Sequence, residues 1–338
     1  MQENVILGLS YAVIAGVFAG SFALPMKFTT QWKWQHNWIV YATWATLIMP
    51  IILALLTVPH LGSIYQSIDG LISLKVVLFG MAWGIGAICF GLGLEYLGVA
   101  LGMSIMLGLI ISLGTLIPII LYQPSVLATP KGHKIIVAAI ILTIGIVICA
   151  IAGAMRNKKV KGIENQQRSI NQSIFKKGLM IAILAGVLGP MLNLGFISGK
   201  PIQDAAIQLG ANSSVAGNAV WPLALFGGFI INFLYCGYLI QKNSEWNLFV
   251  TKKRWYWLAI ASSGIIWFFC MMFFGMASSK LGKLGPSIGW ASFQTMAIVT
   301  GNLVGLFTGE WKNSGIRPLA INFIGIILLL TGIIVIAF

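Results

Sequence analysis

The chain is 338 residues long, 58% hydrophobic and only 8% charged, with 21 Lys and Arg against 7 Asp and Glu for a formal charge of +14. A soluble globular domain carries roughly 25% charged residues, so this composition excludes a soluble chain and points to an integral membrane protein. On a soluble chain the positive balance would suggest a nucleic-acid partner; here the position of each charge relative to apolar runs is the better guide, and no nucleic-acid partner is expected.

A helix needs about 20 apolar residues to cross a hydrocarbon core of roughly 30 Å. On that ruler the sequence predicts spans at 4–26, 37–58, 74–96, 99–122, 133–154, 177–197, 214–240, 256–278, 286–308 and 317–338. The first has no basic stretch before it and no clear cleavage site after it, so it is expected to remain rather than act as a signal peptide. The seventh opens on NSSVAGN, which reads as loop or re-entrant backbone. Four cysteines (Cys89, Cys149, Cys236, Cys270) lie inside apolar runs at spacings that suit neither disulfides nor metal ligation. No metal and no cofactor are expected.

Lys and Arg collect in cytoplasmic loops. Fifteen of the 21 cations fall on the face holding the loops after spans 1, 3, 5, 7 and 9. The loop 155–176, RNKKVKGIENQQRSINQSIFKK, is the densest of these and reads as a basic cytoplasmic linker, which leaves both termini outside. Trp32, Trp34, Trp38, Trp246, Trp255, Trp257 and Trp311 sit at span ends on that same face, as interfacial aromatics do.

The stretch GLSYAVIAGV (8–17) returns as GLMIAILAGV (178–187), identical at six of ten positions. Trp83, Gly91, Leu97 and Gly98 recur as Trp267, Gly275, Leu281 and Gly282, LGMSI at 101–105 recurs as LGPSI at 284–288, and TIGIVI at 143–148 resembles LTGIIV at 330–335. Residues 1–154 and 177–338 are therefore two copies of one five-helix unit. Five is odd, so the second copy enters the membrane from the opposite face. The fold expected is an all-α integral membrane protein of ten transmembrane helices in two inverted five-helix repeats, a plan that points to a secondary transporter with its site near the midplane. Glycines four apart (Gly16–Gly20, Gly80–Gly84, Gly98–Gly102, Gly195–Gly199, Gly285–Gly289, Gly301–Gly305) allow close helix approach.

No Asp, Glu, Lys or Arg falls in the middle third of any span. Buried charge in a membrane is costly and marks charged cargo or ion pathways, so the cargo is expected to be neutral. Polar and aromatic side chains remain: Tyr11, Ser21, Asn193, Asn218, Asn232 and Gln294, with Trp44, Trp83, Trp221, Trp267 and Trp290. Indole faces stack on sugar C–H groups, and amides match sugar hydroxyls. The candidate substrate-binding set is Trp83, Trp267, Trp290, Gln294, Asn193, Asn218, Trp221 and Tyr11, with Trp83 and Trp267 at repeat-equivalent depths. The plain alternative for each is helix packing or an interhelical hydrogen bond.

FGMAWGIGAICFGLGLEYLGVALG (79–102), GKPIQDAAIQLG (199–210) and GEWKNSGIRP (309–318), with FALPMK, WKW and Trp38 in the first loop, resemble the L-rhamnose–proton symporter family of the drug/metabolite transporter superfamily. The likeness runs through nearly the whole chain. It implies ten helices in two inverted repeats and uptake of a deoxy sugar driven by protons. One departure is Glu95, where the resemblance implies a basic residue.

Glu95 and Glu310 are the carboxylates expected to be least exposed, and with Lys27 and Lys200, which follow the duplicated spans 1 and 6 beside Pro25 and Pro201, they are the coupling or gating candidates. His36, His60 and His133 sit at or beyond span ends. The function expected is proton-coupled import of a neutral monosaccharide, L-rhamnose or a related 6-deoxyhexose, across the inner membrane of a bacterium. An exporter or facilitator of another small metabolite is the alternative. A membrane enzyme or sensor lacks a nucleophile–His–acid grouping, an acidic metal motif and a soluble module.

Overall fold

The computed structural model describes residues 4–160, 172–250, 253–312 and 314–337. Most of the linker 155–176 therefore lies outside the described residues. Among those described there are helices and turns but no strand. The long helices are α1 (Val5–Ser21), α3 (Gly70–Leu97), α4 (Val99–Tyr122), α5 (Pro130–Val160), α7 (Trp221–Lys242), α8 (Trp255–Lys280), α9 (Gly285–Phe307) and α10 (Ile316–Ala337). Two more are interrupted. α2 runs Trp34–Ala42, widens to a π-helical stretch Thr43–Ile48 and continues as Met49–Thr57. α6 runs Gln172–Leu188, breaks at Gly189 and Pro190, and resumes as Met191–Ser198 and Lys200–Gln208.

Prolines explain both interruptions, because a proline has no N–H for the i→i−4 ladder and its ring crowds the carbonyl one turn back. Pro50 sits just past the widened turn of α2, and Pro190 sits at the break of α6. The NSSVAGN segment forms turns and a 3₁₀ helix, Ala216–Ala219, before α7 begins at Trp221.

Among the described residues nine helices are long and apolar enough to cross a membrane, the run Ile174–Gln208 counting as one. α9 is not among them, although its 23 residues are of spanning length. Its composition is the reason: Gln294 and Asn302, with Ser287, Ser292, Thr295 and Thr300, lower its hydropathy. The four hydroxyl residues are each at most 8% exposed, enclosed by protein.

The helices meet in a regular pattern. α1 lies along α8 and α9, and α6 along α3 and α4. α3 packs on α7 and α2 on α8, while α5 pairs with α10, α4 with α9 and α2 with α7. The start of α1 meets the end of α8 through Asn4 N–H donating to the Lys280 carbonyl, 3.0 Å. The start of α6 meets the end of α3, where the Lys177 ammonium lies 5.2 Å from the Tyr96 ring centroid. One end of the bundle, the linker face, carries two ionic groups, Lys27 and Arg156 on Glu310 and Lys33 on Glu245. The other end brings Gln123 to the Lys283 carbonyl, 2.8 Å.

Small residues make these approaches. A Cβ on Gly8 would stand 2.6 Å from Leu281 Cγ, and one on Gly178 would stand 2.9 Å from Leu97 Cδ2. Ala12, Ala15, Ala182 and Ala185 continue the two stripes and are fully buried. On α3, a Cβ at Gly80 would overlap the Ala224 carbonyl oxygen of α7, whereas one at Gly91 meets nothing within 4 Å. Gly80→Ala is therefore expected to lower stability by about 1–3 kcal/mol through overpacking, while Gly91→Ala stays within about 0.5 kcal/mol. Thermal unfolding of the two variants in detergent reads the difference; equal melting temperatures would contradict the α3–α7 contact.

Candidate functional site

Where α2, α3, α6, α7, α8 and α9 converge there is a cavity of ≈ 240 Å³. Its volume exists because small residues line part of it: Gly86 and Ala87 on α3, and Ala185 and Gly189 at the break of α6. Trp83 and Trp267 enter from α3 and α8 and stack on each other, centroids 5.5 Å apart and planes tilted by 22°. Trp83 is backed by α7, where a Cβ at Gly228 would lie 2.6 Å from its ring. Trp267 meets the edge of Tyr41, 6.1 Å and 77°.

Polar groups stand around this aromatic pair. Asn232 accepts from Trp38 Nε1 at 2.8 Å and donates to the Gly228 carbonyl at 2.8 Å, which fixes its amide plane at the wall. Gln294 lies on the opposite wall and also lines a second cavity of ≈ 430 Å³ that runs past Asn302 to Arg156 and Trp311. The pair of cavities therefore leads from the stacked indoles to the linker face. With no carboxylate, lysine or histidine in the wall of the smaller one, the arrangement suits a small neutral ligand with an apolar face and hydroxyls.

Of the residues singled out from the sequence, Trp83, Trp267 and Gln294 come together here. Trp290 does not: it is 2% exposed, donates Nε1–H to the Ile110 carbonyl at 3.1 Å, and wedges between Phe274 and Phe293. Asn193 ties helices. Pro118 removes an N–H from α4 and leaves the Gly114 carbonyl without its ladder partner; Asn193 Nδ2 donates to that carbonyl at 3.0 Å and to the Pro286 carbonyl of α9 at 3.2 Å. Asn218 donates to Thr57 Oγ1 at 3.0 Å, and Trp221 stacks on Phe196 at 4.6 Å, both away from the cavity. Tyr11 packs against Phe273, 6.0 Å.

Among the gating candidates, Lys27 and Arg156 both hold Glu310, the latter at 2.9 Å, and Arg156 lies over the Trp311 ring. The ion pair joins the ends of α1, α5 and α9 at the mouth of the larger cavity. Lys200 pairs with Asp204 one turn on, at the other face. Glu95 and Glu310 are both exposed, contrary to the expectation that they are the least exposed carboxylates. That place belongs to Glu245, 8% exposed, whose carboxylate is held by Lys33 and Gln35 and whose carbonyl faces His36 Nε2 at 3.0 Å. His36, placed at a span end by the sequence, is fully buried there.

Residues 1–338 match, end to end, the family described as L-rhamnose-proton symport protein. The chain belongs to that family. Named L-rhamnose-proton symporters from Yersinia pestis (strain Pestoides F) and Yersinia pseudotuberculosis serotype O:1b are 28% identical to it over 98% of this chain and 96% of their own length. One from Klebsiella pneumoniae (strain 342) is 27% identical over the same shares. The symporter family is one of transporters, not of enzymes.

Among the cavity residues outside the candidate set are Trp38, read as an interfacial anchor, Tyr41, Thr46 and Asn232. An asparagine inside an apolar run was the available signal for Asn232, but it could not distinguish a pocket wall from a helix tie. Two outcomes follow from this geometry. Trp290→Ala empties a fully packed position and is expected to cost about 3–5 kcal/mol of stability, seen as a lower melting temperature that no ligand is needed to reveal. Ion pairing to Lys27 and Arg156 holds Glu310 below the usual carboxylate value of 4.5, and ion pairing to Lys33 does the same for Glu245, in each case against the opposing effect of burial. A depressed folded-state pKa gives stability that is present above the unfolded value and lost as pH falls through the folded one. Melting temperature should therefore hold from pH 8 to about 5 and fall below about 4.5, with a smaller fall in Glu310→Gln; an onset between pH 6 and 7 would point to a histidine instead.

Proposed function

We propose that this chain imports L-rhamnose or a related 6-deoxyhexose together with a proton, by alternating access around the cavity of Trp83 and Trp267. The single observation that carries the reading is the cross-half stack of those two indoles, flanked by Gln294 and Asn232 in a cavity without charged side chains. A deoxy sugar has both a hydroxylated edge and an apolar C–H and methyl surface, which match the amides and the rings respectively. Family membership supplies the coupling to protons.

The frame for this function is ten membrane helices in two inverted five-helix repeats, 1–154 and 177–338, joined by the basic linker 155–176. It is supported by the packing pattern, which is unchanged when each helix is exchanged for the one five places on: α1 with α8 and α9 becomes α6 with α3 and α4. It is supported too by Gly8 against Leu281 and Gly178 against Leu97, four residues that the internal repeat makes equivalent. The positive-inside rule puts the linker face in the cytoplasm and both termini outside, in the inner membrane of a bacterium. Glu310 is the proposed coupling carboxylate, since it touches the larger cavity through Arg156. Its double cation grip favours the ionised form at this stage of the cycle, so the proton leaves here. Movement of α1 would remove Lys27 and let the carboxylate reload.

Purified protein in proteoliposomes tests the proposal. An inward proton gradient should drive accumulation of labelled L-rhamnose, abolished in Trp267→Ala. In Glu310→Gln, accumulation should be lost while rhamnose exchange persists. Facilitated equilibration that ignores the gradient would favour the facilitator alternative.

A further inference from the structure

The face opposite the linker holds a cavity of ≈ 610 Å³ that the central site does not use. The stretch GKPIQDAAIQLG forms one wall, and its helix Lys200–Gln208 turns Lys200, Gln203 and Ile207 toward the cavity while Ile202 and Ala206 are fully buried behind. Gln203 donates Nε2–H to the Phe196 carbonyl at 3.2 Å, which leaves its amide oxygen for another donor. Across the cavity stands Ser278, 6% exposed, with its buried Oγ bonded to no protein partner. An uncompensated buried hydroxyl costs free energy unless something outside the chain satisfies it.

The floor is aromatic. Phe196 stacks on Trp221 at 4.6 Å and 18° and touches Phe274 at 5.5 Å; Phe274 in turn meets Phe293 and Trp290 at 5.2 and 5.6 Å. These rings separate the vestibule from the central cavity. Beside them, between α4, α6 and α9, only a small cavity of ≈ 40 Å³ adjoins the vestibule, whereas a cavity of ≈ 430 Å³ leads toward the linker face. No carboxylate lines the vestibule; its two lysines are Lys200, paired with Asp204, and Lys283, whose carbonyl accepts from Gln123.

We infer that this vestibule is a second binding site for a neutral monosaccharide, in which the sugar rests on Phe196 and hydrogen-bonds Gln203 and Ser278 before the aromatic floor opens. The inference rests on the transport reading for the identity of the sugar, but its residues are separate from those of the central site. A site on the entry face raises the local sugar concentration at a closed gate, and it gives the wall motif 199–210 a role that the central cavity does not.

Equilibrium dialysis of the full chain in nanodiscs against radiolabelled L-rhamnose tests it. The wild type should bind at saturation about twice as much sugar as Gln203→Leu or Ser278→Ala, while Trp267→Ala keeps only the vestibular half. Ser278→Ala removes only a hydroxyl that has no protein partner, and Gln203 is only half-buried, so both variants should keep the wild-type melting temperature. Wild-type saturation equal to that of the two variants, with all binding lost in Trp267→Ala, overturns the vestibular site and leaves the transport reading intact. Absence of any rhamnose binding to the wild type overturns both.

Discussion

Everything in this bundle depends on how closely α1 and α6 approach the helices of the other half. In lipid no hydrophobic effect drives helices together, so van der Waals contact between small-residue faces has to supply the attraction. The stripes Gly8–Ala12–Ala15–Gly16 and Gly178–Ala182–Ala185–Gly186 do this, and each is fully enclosed at its alanines. α1 rests on α8 and α9 while α6 rests on α3 and α4, so each of these two helices is covered by helices distant from it in the chain. The cavity forms at the seam of that crossing, where Ala185 and Gly189 replace side chains that would fill it.

Prolines then set which backbone groups are free and so which polar side chains have work to do. Pro118 releases the Gly114 carbonyl, and Asn193, carried on the segment after the Pro190 break, satisfies it while reaching α9. Trp290 bonds a carbonyl one turn earlier on the same helix. A buried amide or indole in a membrane helix is therefore as apt to repair a ladder as to face a ligand. Gln294, one turn beyond Trp290, has no such carbonyl to serve and lines both cavities.

Much of this was legible in the sequence for physical reasons. Apolar run length located most of the helices, but the sixth runs on to Gln208 beyond its expected end at 197 and the seventh starts at Trp221 and not at 214; the internal repeat singled out Trp83 and Trp267 together. The two indoles, matched by the sequence repeat, also meet in the fold, where they stack. What escaped depended on long-range pairing. Trp38 looked like an interfacial tryptophan because only Asn232, 194 residues away, turns it into the cavity wall. Glu245 was not singled out by the sequence, because its partners Lys33, Gln35 and His36 lie far away in the chain. α9 read as a span from its length, while its buried hydroxyls reflect an enclosure that no local window can register.

The pairing of α5 with α10 has a consequence for biosynthesis. A ribosome delivers α5 well before α10, and the small-residue face of α1 well before α8 and α9 arrive. During that interval the faces of α1 and α5 that α8, α9 and α10 will cover have no lasting neighbours and must be sheltered by the insertion machinery or by lipid. Commitment to the final arrangement therefore waits for the last helix to emerge, and truncation near the C-terminus would be more damaging to assembly than its distance from the cavity suggests.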